Sequence, residues 1–167
     1  MAVVRRLVKD DGAAWRRIRL EALESCPTAF AMSFEQAAQQ DLAAFTGHIP
    51  SPDQPRAIFG AFESETLCGT AGFHVHERPK ERHKGELWGV YVAPPWRRHG
   101  FAAMLLDAVI AHARAHVVLL QLSVGTDNAA ACALYRSLGF ATYGRERRAL
   151  CVDGVYYDQE LMAMDFV

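Results

Sequence analysis

Residues 97–102 read Arg-Arg-His-Gly-Phe-Ala, and they stand at a junction. An apolar run, ELWGVYV, ends at Val92, Ala-Pro-Pro-Trp follows, and an amphipathic run begins after Gly100. A helix start leaves N–H groups unpaired and carries partial positive charge, so a helix that opens straight after a strand can hold an anion. Gly100 has no side chain to keep a phosphate away from the backbone, and Ala102 is nearly as small. Arg97, Arg98 and His99 add charge and donors at the same turn. Taken singly, each residue fits an ordinary helix start with solvated arginines. On the residues alone, the ordinary helix start and the phosphate site both stand.

Other chemistry has less support. There is no GxxxxGK[ST], no GxGxxG and no GxSxG, which leaves the common nucleotide and serine-hydrolase sites without their motifs. His74 and His76 would share one face of a strand, with His83 and Glu77 nearby. No spacing fixes a third ligand, so we assign no metal and read these histidines as exposed or substrate-facing. Cys132 reads as a small buried hydrophobe rather than a nucleophile. The four cysteines, Cys26, Cys68, Cys132 and Cys151, form no CxxC pair and suggest reduced thiols in the cytoplasm. A net charge of −1 offers no field for nucleic acid. The N-terminus lacks the apolar core of a signal peptide, and no run approaches the about 18 apolar residues of a membrane span.

The elements that would position the turn can be read along the chain. With 167 residues, one domain over 1–167 is expected. A strand is expected over 1–8, then a helix that Asp10 or Asp11 caps, ending at Cys26-Pro27. Residues 28–50 form a connector with a short helix near 41–46. Residues 57–62 and 67–75 read as a hairpin, 87–92 as an apolar strand, and 78–84 as a polar loop of net charge +3. Gly89 inside the strand suggests a bulge. Phe101, Met104, Leu105, Ala108 and Val109 follow the helical period. Residues 117–124 form a buried strand. Asp127 or Asn128 caps a further helix, which Gly139 stops. Strands over 141–148 and 155–164 flank Asp153-Gly154. The class is α/β (α+β mixed): a central mixed sheet of about seven strands flanked by about four helices.

Residues 97–102 resemble the (Arg/Gln)-x-x-Gly-x-(Gly/Ala) signature of the GNAT superfamily of acetyl-CoA-dependent N-acetyltransferases. NAAACALYRSLGF and the ending DGVYYDQELMAMDF are similar to later segments of small bacterial members. The match covers roughly 56–166, while 1–50 agrees only in element order. The resemblance implies a twisted sheet that splays between its fourth and fifth strands, with coenzyme A in the opening. Its pyrophosphate would rest on the turn from Arg97 through Arg98, His99, Gly100, Phe101 and Ala102 to Ala103. Its pantetheine arm would run along Val90, Tyr91 and Val92, with Asn128 as a further contact, although helix capping explains Asn128 equally well.

For catalysis, the resemblance implies Tyr135 as the acid that protonates the departing sulfur. It implies Glu86, eleven residues before Arg97, as the base for the amine. Tyr135 as plain core and Glu86 as a surface charge remain alternatives. The implied activity is acetyl transfer from acetyl-CoA to an amine of a small molecule or peptide in a ternary complex. Alternatives are a non-catalytic acyl-CoA sensor and transfer of another acyl group. No nucleic acid or membrane partner is expected, and a homodimer through the last strands is.

Overall fold

The computed structural model describes residues 1–167. Its strands are β1 (Ala2–Arg6), β2 (Ala57–Glu63), β3 (Thr66–Val75), β4 (Lys84–Val92), β5 (Leu119–Gly125), β6 (Ala141–Val152) and β7 (Val155–Asp165). Its helices are α1 (Gly12–Ser25), α2 (Phe34–Ala38), α3 (Leu42–His48), α4 (Phe101–Arg114) and α5 (Ala129–Ser137). The strands form one sheet of seven in the order β1-β2-β3-β4-β5-β7-β6. Only β4 and β5 run parallel, joined through α4, and every other pair is antiparallel.

Two apolar clusters cover the two faces of the sheet. On one, α4 and α5 bury Phe101, Leu105, Leu106, Val109 and Cys132 against Phe73, Leu87, Leu120 and Met162. On the other, α1 and α3 bury Trp15, Ile18, Leu23 and Phe45 against Ile58, Leu67 and Tyr91.

Several expectations shift. A fifth helix, α2, interrupts the 28–50 connector, and Ser33 and Gln36 close a capping box there. Asp11 sits at the start of α1 without capping it, because its carboxylate is taken by a bidentate pair with Arg5 at 2.8 Å. The fourth strand begins at Lys84, three residues earlier than its apolar run. The buried stripe of α4 includes Leu106, while Met104 turns to solvent, because α4 lies against four strands, β1 to β4, and needs a wide apolar face. Asn128 caps α5 through Ala131 N–H, and Gly139 stops it at φ +106°.

Leu106→Ala should cost about 3 kcal/mol of stability, since it empties a fully buried site. Met104→Ala should stay within about 0.5 kcal/mol. Urea unfolding with an unchanged m-value checks both.

Candidate active site

The site begins where two strands part. β4 pairs with β5 only at residues 84–86 with 119–121, and the rest of β4 has no partner on that side. One extra residue explains the divergence. Against β3, Thr70 faces Tyr91 and Gly72 faces Trp88, so β4 carries a bulge opposite Ala71. Gly89 sits in that bulge at φ +63°, a left-handed conformation that side chains disfavour. Beyond the bulge the alternation is fixed by Ala93, whose N–H donates to Cys68 O at 2.9 Å. Ala93 and Tyr91 therefore aim their backbone groups at β3, and Val92 aims its own into the opening. Tyr91 differs in this from what its neighbours suggest. Its side chain is buried on the α1 side, with the hydroxyl at 3.0 Å from Glu21 and 3.2 Å from Ser25.

A cavity of about 440 Å³ fills the opening. Leu87 to Val90 form one wall, Leu122 to Gly125 with Asn128, Ala131 and Tyr135 the other, and the end of α1 with the segment after it, from Ser25 to Phe30, covers it. Arg19 stacks on Phe30 and Trp88 without any carboxylate partner, and burial lowers its pKa. It clamps the Trp88 wall.

At the mouth lies the basic turn. Arg98 (φ +64°) and Gly100 (φ +84°) are both left-handed, and successive N–H groups in such a turn make an anion-binding concavity. The first helical bond of α4 runs from Met104 N–H to Gly100 O, so the amides of Phe101, Ala102 and Ala103 have no helical acceptor. The space beside Gly100 is open. The Phe101 ring is buried edge-on to Trp96, so Phe101 can serve a ligand only through its backbone. Arg97 folds back, and its Nε donates to Val92 O at 2.9 Å while the guanidinium lies over the Tyr91 ring. His99 holds its Nδ1 2.8 Å from Arg97 O. Arg98 is exposed.

Tyr135 lies in the cleft wall, almost wholly buried, edge-on to Phe140. Its hydroxyl has no hydrogen-bond partner in the protein yet is not sealed off. Burial pushes its pKa well above the ordinary tyrosine range, so it keeps its proton. The Asn128 side-chain oxygen is spent on its cap, which leaves the NH₂ group to the cleft. Cys132 is buried and its thiol pKa is raised, which suits packing and not nucleophilic attack.

A second cavity of about 470 Å³ lies on the α1–α3 face, and Trp88 lines both. Its walls include His48, Arg56, His74, His76, Glu86 and Arg78. Arg6 holds the rim by donating to the carbonyls of Ser51, Pro52, Gln54 and Arg56. Glu86 stands directly across the ladder from His74, with Oε2 3.5 Å from Nε2. His76 stacks beside His74, and one nitrogen from each histidine and one carboxylate oxygen of Glu86 lie within 4.8 Å of one another. His83 is exposed outside this group. Burial lowers the pKa of His74, and the Glu86 charge opposes that only in part. The positive loop is also tempered, because Glu81 pairs with both Arg78 and Lys84.

A family model described as the acetyltransferase (GNAT) family matches residues 15–140. The chain belongs to the GNAT acetyltransferase family. N-alpha-acetyltransferase RimI of Mycobacterium tuberculosis is 37% identical over 113 residues, which are 67% of this chain and 68% of that one. A GNAT-family acetyltransferase from Streptococcus pneumoniae shares the fold at TM-score 0.83 and 22% identity over 99% of both chains. The structure of yncA from Salmonella typhimurium, solved with its cofactor acetyl-CoA, does so at TM-score 0.82 and 22% identity, over 99% of this chain and 94% of that one. The protein is an N-acetyltransferase that uses acetyl-CoA. The free amides of α4 and the unpaired edge of β4 fit such a ligand, one end anionic and the other an extended chain of amides.

Gly100→Glu should weaken acetyl-CoA binding at least ~10-fold, because it sets a carboxylate where the phosphates need positive potential. Gly100→Ala should cost about 1–2 kcal/mol of stability through its positive φ and bind nearly normally. Titration calorimetry on folded variants checks both.

Proposed function

We propose that this chain acetylates an amine of a small molecule or peptide in a ternary complex, with Glu86 and Tyr135 on opposite sides of the reacting carbonyl. The observation that supports this most is the meeting of two cavities at Trp88. One presents the open edge of β4 and the Tyr135 hydroxyl, and the other presents Glu86. Acetyl-CoA supplies the activated acyl thioester. In this reading Val90, Val92 and the amides from Gly100 to Ala103 hold it, with Arg97, Arg98, His99 and Asn128 around them. Tyr91 shapes the strand from behind.

An alkyl ammonium, with a pKa near ~10.4, must lose a proton before it can attack. Glu86 accepts that proton. The Val92 N–H faces the opening and can polarise the thioester carbonyl. Tyr135 donates to the sulfur as it departs, and the second proton lost by the nitrogen returns to Tyr135, so one proton is released per turnover. The high pKa of Tyr135 keeps the donor charged with its proton at neutral pH. The α-amine of a peptide, the acceptor class that the name of the RimI relative denotes, is the first to test. The cytoplasm, where acetyl-CoA is available and thiols stay reduced, is the compartment this reading requires. Pairing of two chains through β6 and β7 completes the reading, since Tyr143, Val155 and Tyr156 are exposed there. A monomer mass by light scattering at ~100 μM would reject that pairing.

Tyr135→Phe preserves the packing and removes the donor. Its kcat should fall by ~10²-fold or more with KM for acetyl-CoA nearly kept. Thiol release from acetyl-CoA across an amine panel measures it, and full speed in the variant would return Tyr135 to the core. Glu86→Gln should show a defect that shrinks as pH rises toward the amine's own pKa, because the free amine then needs no base. A defect flat with pH would remove Glu86 from this role.

A further inference from the structure

We propose that His74 is a second catalytic residue and forms with Glu86 a two-part base, in which the imidazole is where the acceptor's proton comes to rest. The proposal rests on the acetyl-transfer reading above. His74 and Glu86 are directly opposed across β3 and β4, at a position where the ladder exchanges both backbone hydrogen bonds. That pairing fixes the two side chains on one face, and both line the cavity that reaches Trp88. The 3.5 Å between Nε2 and Oε2 is an ion-pair distance that a small side-chain rotation brings to hydrogen-bond length. Catalytic hydrogen bonds are often long before substrate arrives.

Chemistry favours the pair over the carboxylate alone. An ordinary carboxylate, with a pKa near ~4.3, is a weak acceptor for an ammonium proton, whereas an imidazole near ~6.5 is better matched. Burial lowers the His74 pKa, which favours the neutral form that can accept a proton. In the step, an N–H bond of the ammonium breaks as an O–H bond forms on Glu86. That O–H then breaks as an N–H bond forms on His74 Nε2. The imidazolium is stabilised by the Glu86 carboxylate it has just regenerated, and it loses the proton to solvent through the open cavity.

The charges around His74 are known from every side. Glu86 of β4 and Glu77 just past β3 favour its protonation, whereas His76 and Arg56 oppose it. His48 of α3 lines the same cavity, with Arg78 and Glu81 beyond it. On the far side of Glu86, Gln121 of β5 donates to the Tyr143 hydroxyl of β6, and burial, with the Glu86 charge second, raises the Tyr143 pKa. The balance at His74 leaves its pKa below the usual imidazole value.

The test is the pH profile of kcat/KM for acetyl transfer in the wild type, His74→Gln and Glu86→Gln. The wild type should lose activity as pH falls through a single ionisation below ~6.5. His74→Gln should abolish that ionisation and lower the neutral-pH rate by ~10–100-fold, with the wild-type rate approached at alkaline pH. Glu86→Gln should move the ionisation to lower pH, since it removes the charge that raises the His74 pKa. Added imidazole should restore part of the rate to His74→Gly and none to Glu86→Gln. An acid limb that survives unchanged in His74→Gln, or a His74→Gly enzyme deaf to imidazole, would overturn the proposal. Acetyl transfer that persists in all three enzymes at alkaline pH keeps the underlying activity separate from the identity of the base.

Discussion

One extra residue in β4 is the constraint on which the rest of this structure depends. Two parallel strands that begin as neighbours normally continue as neighbours, because each unpaired N–H or C=O loses a hydrogen bond. Here the ladder stops at Glu86, and the bulge at Gly89 turns the remainder of β4 away from β5. The opening that results is not waste space. It exposes a strand edge whose unmet hydrogen bonds suit an extended amide ligand. It also places that edge in line with the start of α4, whose first amides are unmet for a separate reason. Arg97 joins the two features by bonding the Val92 carbonyl from the turn.

In the proposed mechanism, burial sets the proton chemistry. A group moved out of water favours its neutral form. Tyr135 and His74 respond in opposite directions to this same cause, the tyrosine pKa rising and the histidine pKa falling. The neutral tyrosine is a proton donor and the neutral histidine an acceptor. Amine acylation needs a donor at the sulfur and an acceptor at the nitrogen, and the two residues line the two cavities that meet at Trp88.

Much of this was legible in the sequence because it is written in local signals. The helix start at Gly100, the caps at Asn128 and Gly139, and the bulge at Gly89 are each set by residues adjacent in the chain. The stripe of α4 was read less well, because helical period alone does not say how wide a face the sheet demands, and Leu106 was left out. The His74–Glu86 pair was missed for a related reason. Apolar content placed the start of the fourth strand at Leu87, whereas the ladder against β3 carries Gly85 and Glu86 as well. A strand drawn to Lys84 would have set Glu86 opposite His74. The fold-back of Arg97 and the rim held by Arg6 rest on contacts between distant segments, which no local pattern encodes.

The claim that the parted edge of β4 and the start of α4 form one ligand site is open to a single direct measurement. Amide hydrogen exchange, read residue by residue with and without acetyl-CoA, reports on the N–H groups themselves. The account predicts that the amides of Val92, Phe101, Ala102 and Ala103 slow markedly when acetyl-CoA is added, while Tyr91, already bonded to β3, changes little. Protection that spares Val92 and the first turn of α4, and falls instead elsewhere on the sheet, would contradict it.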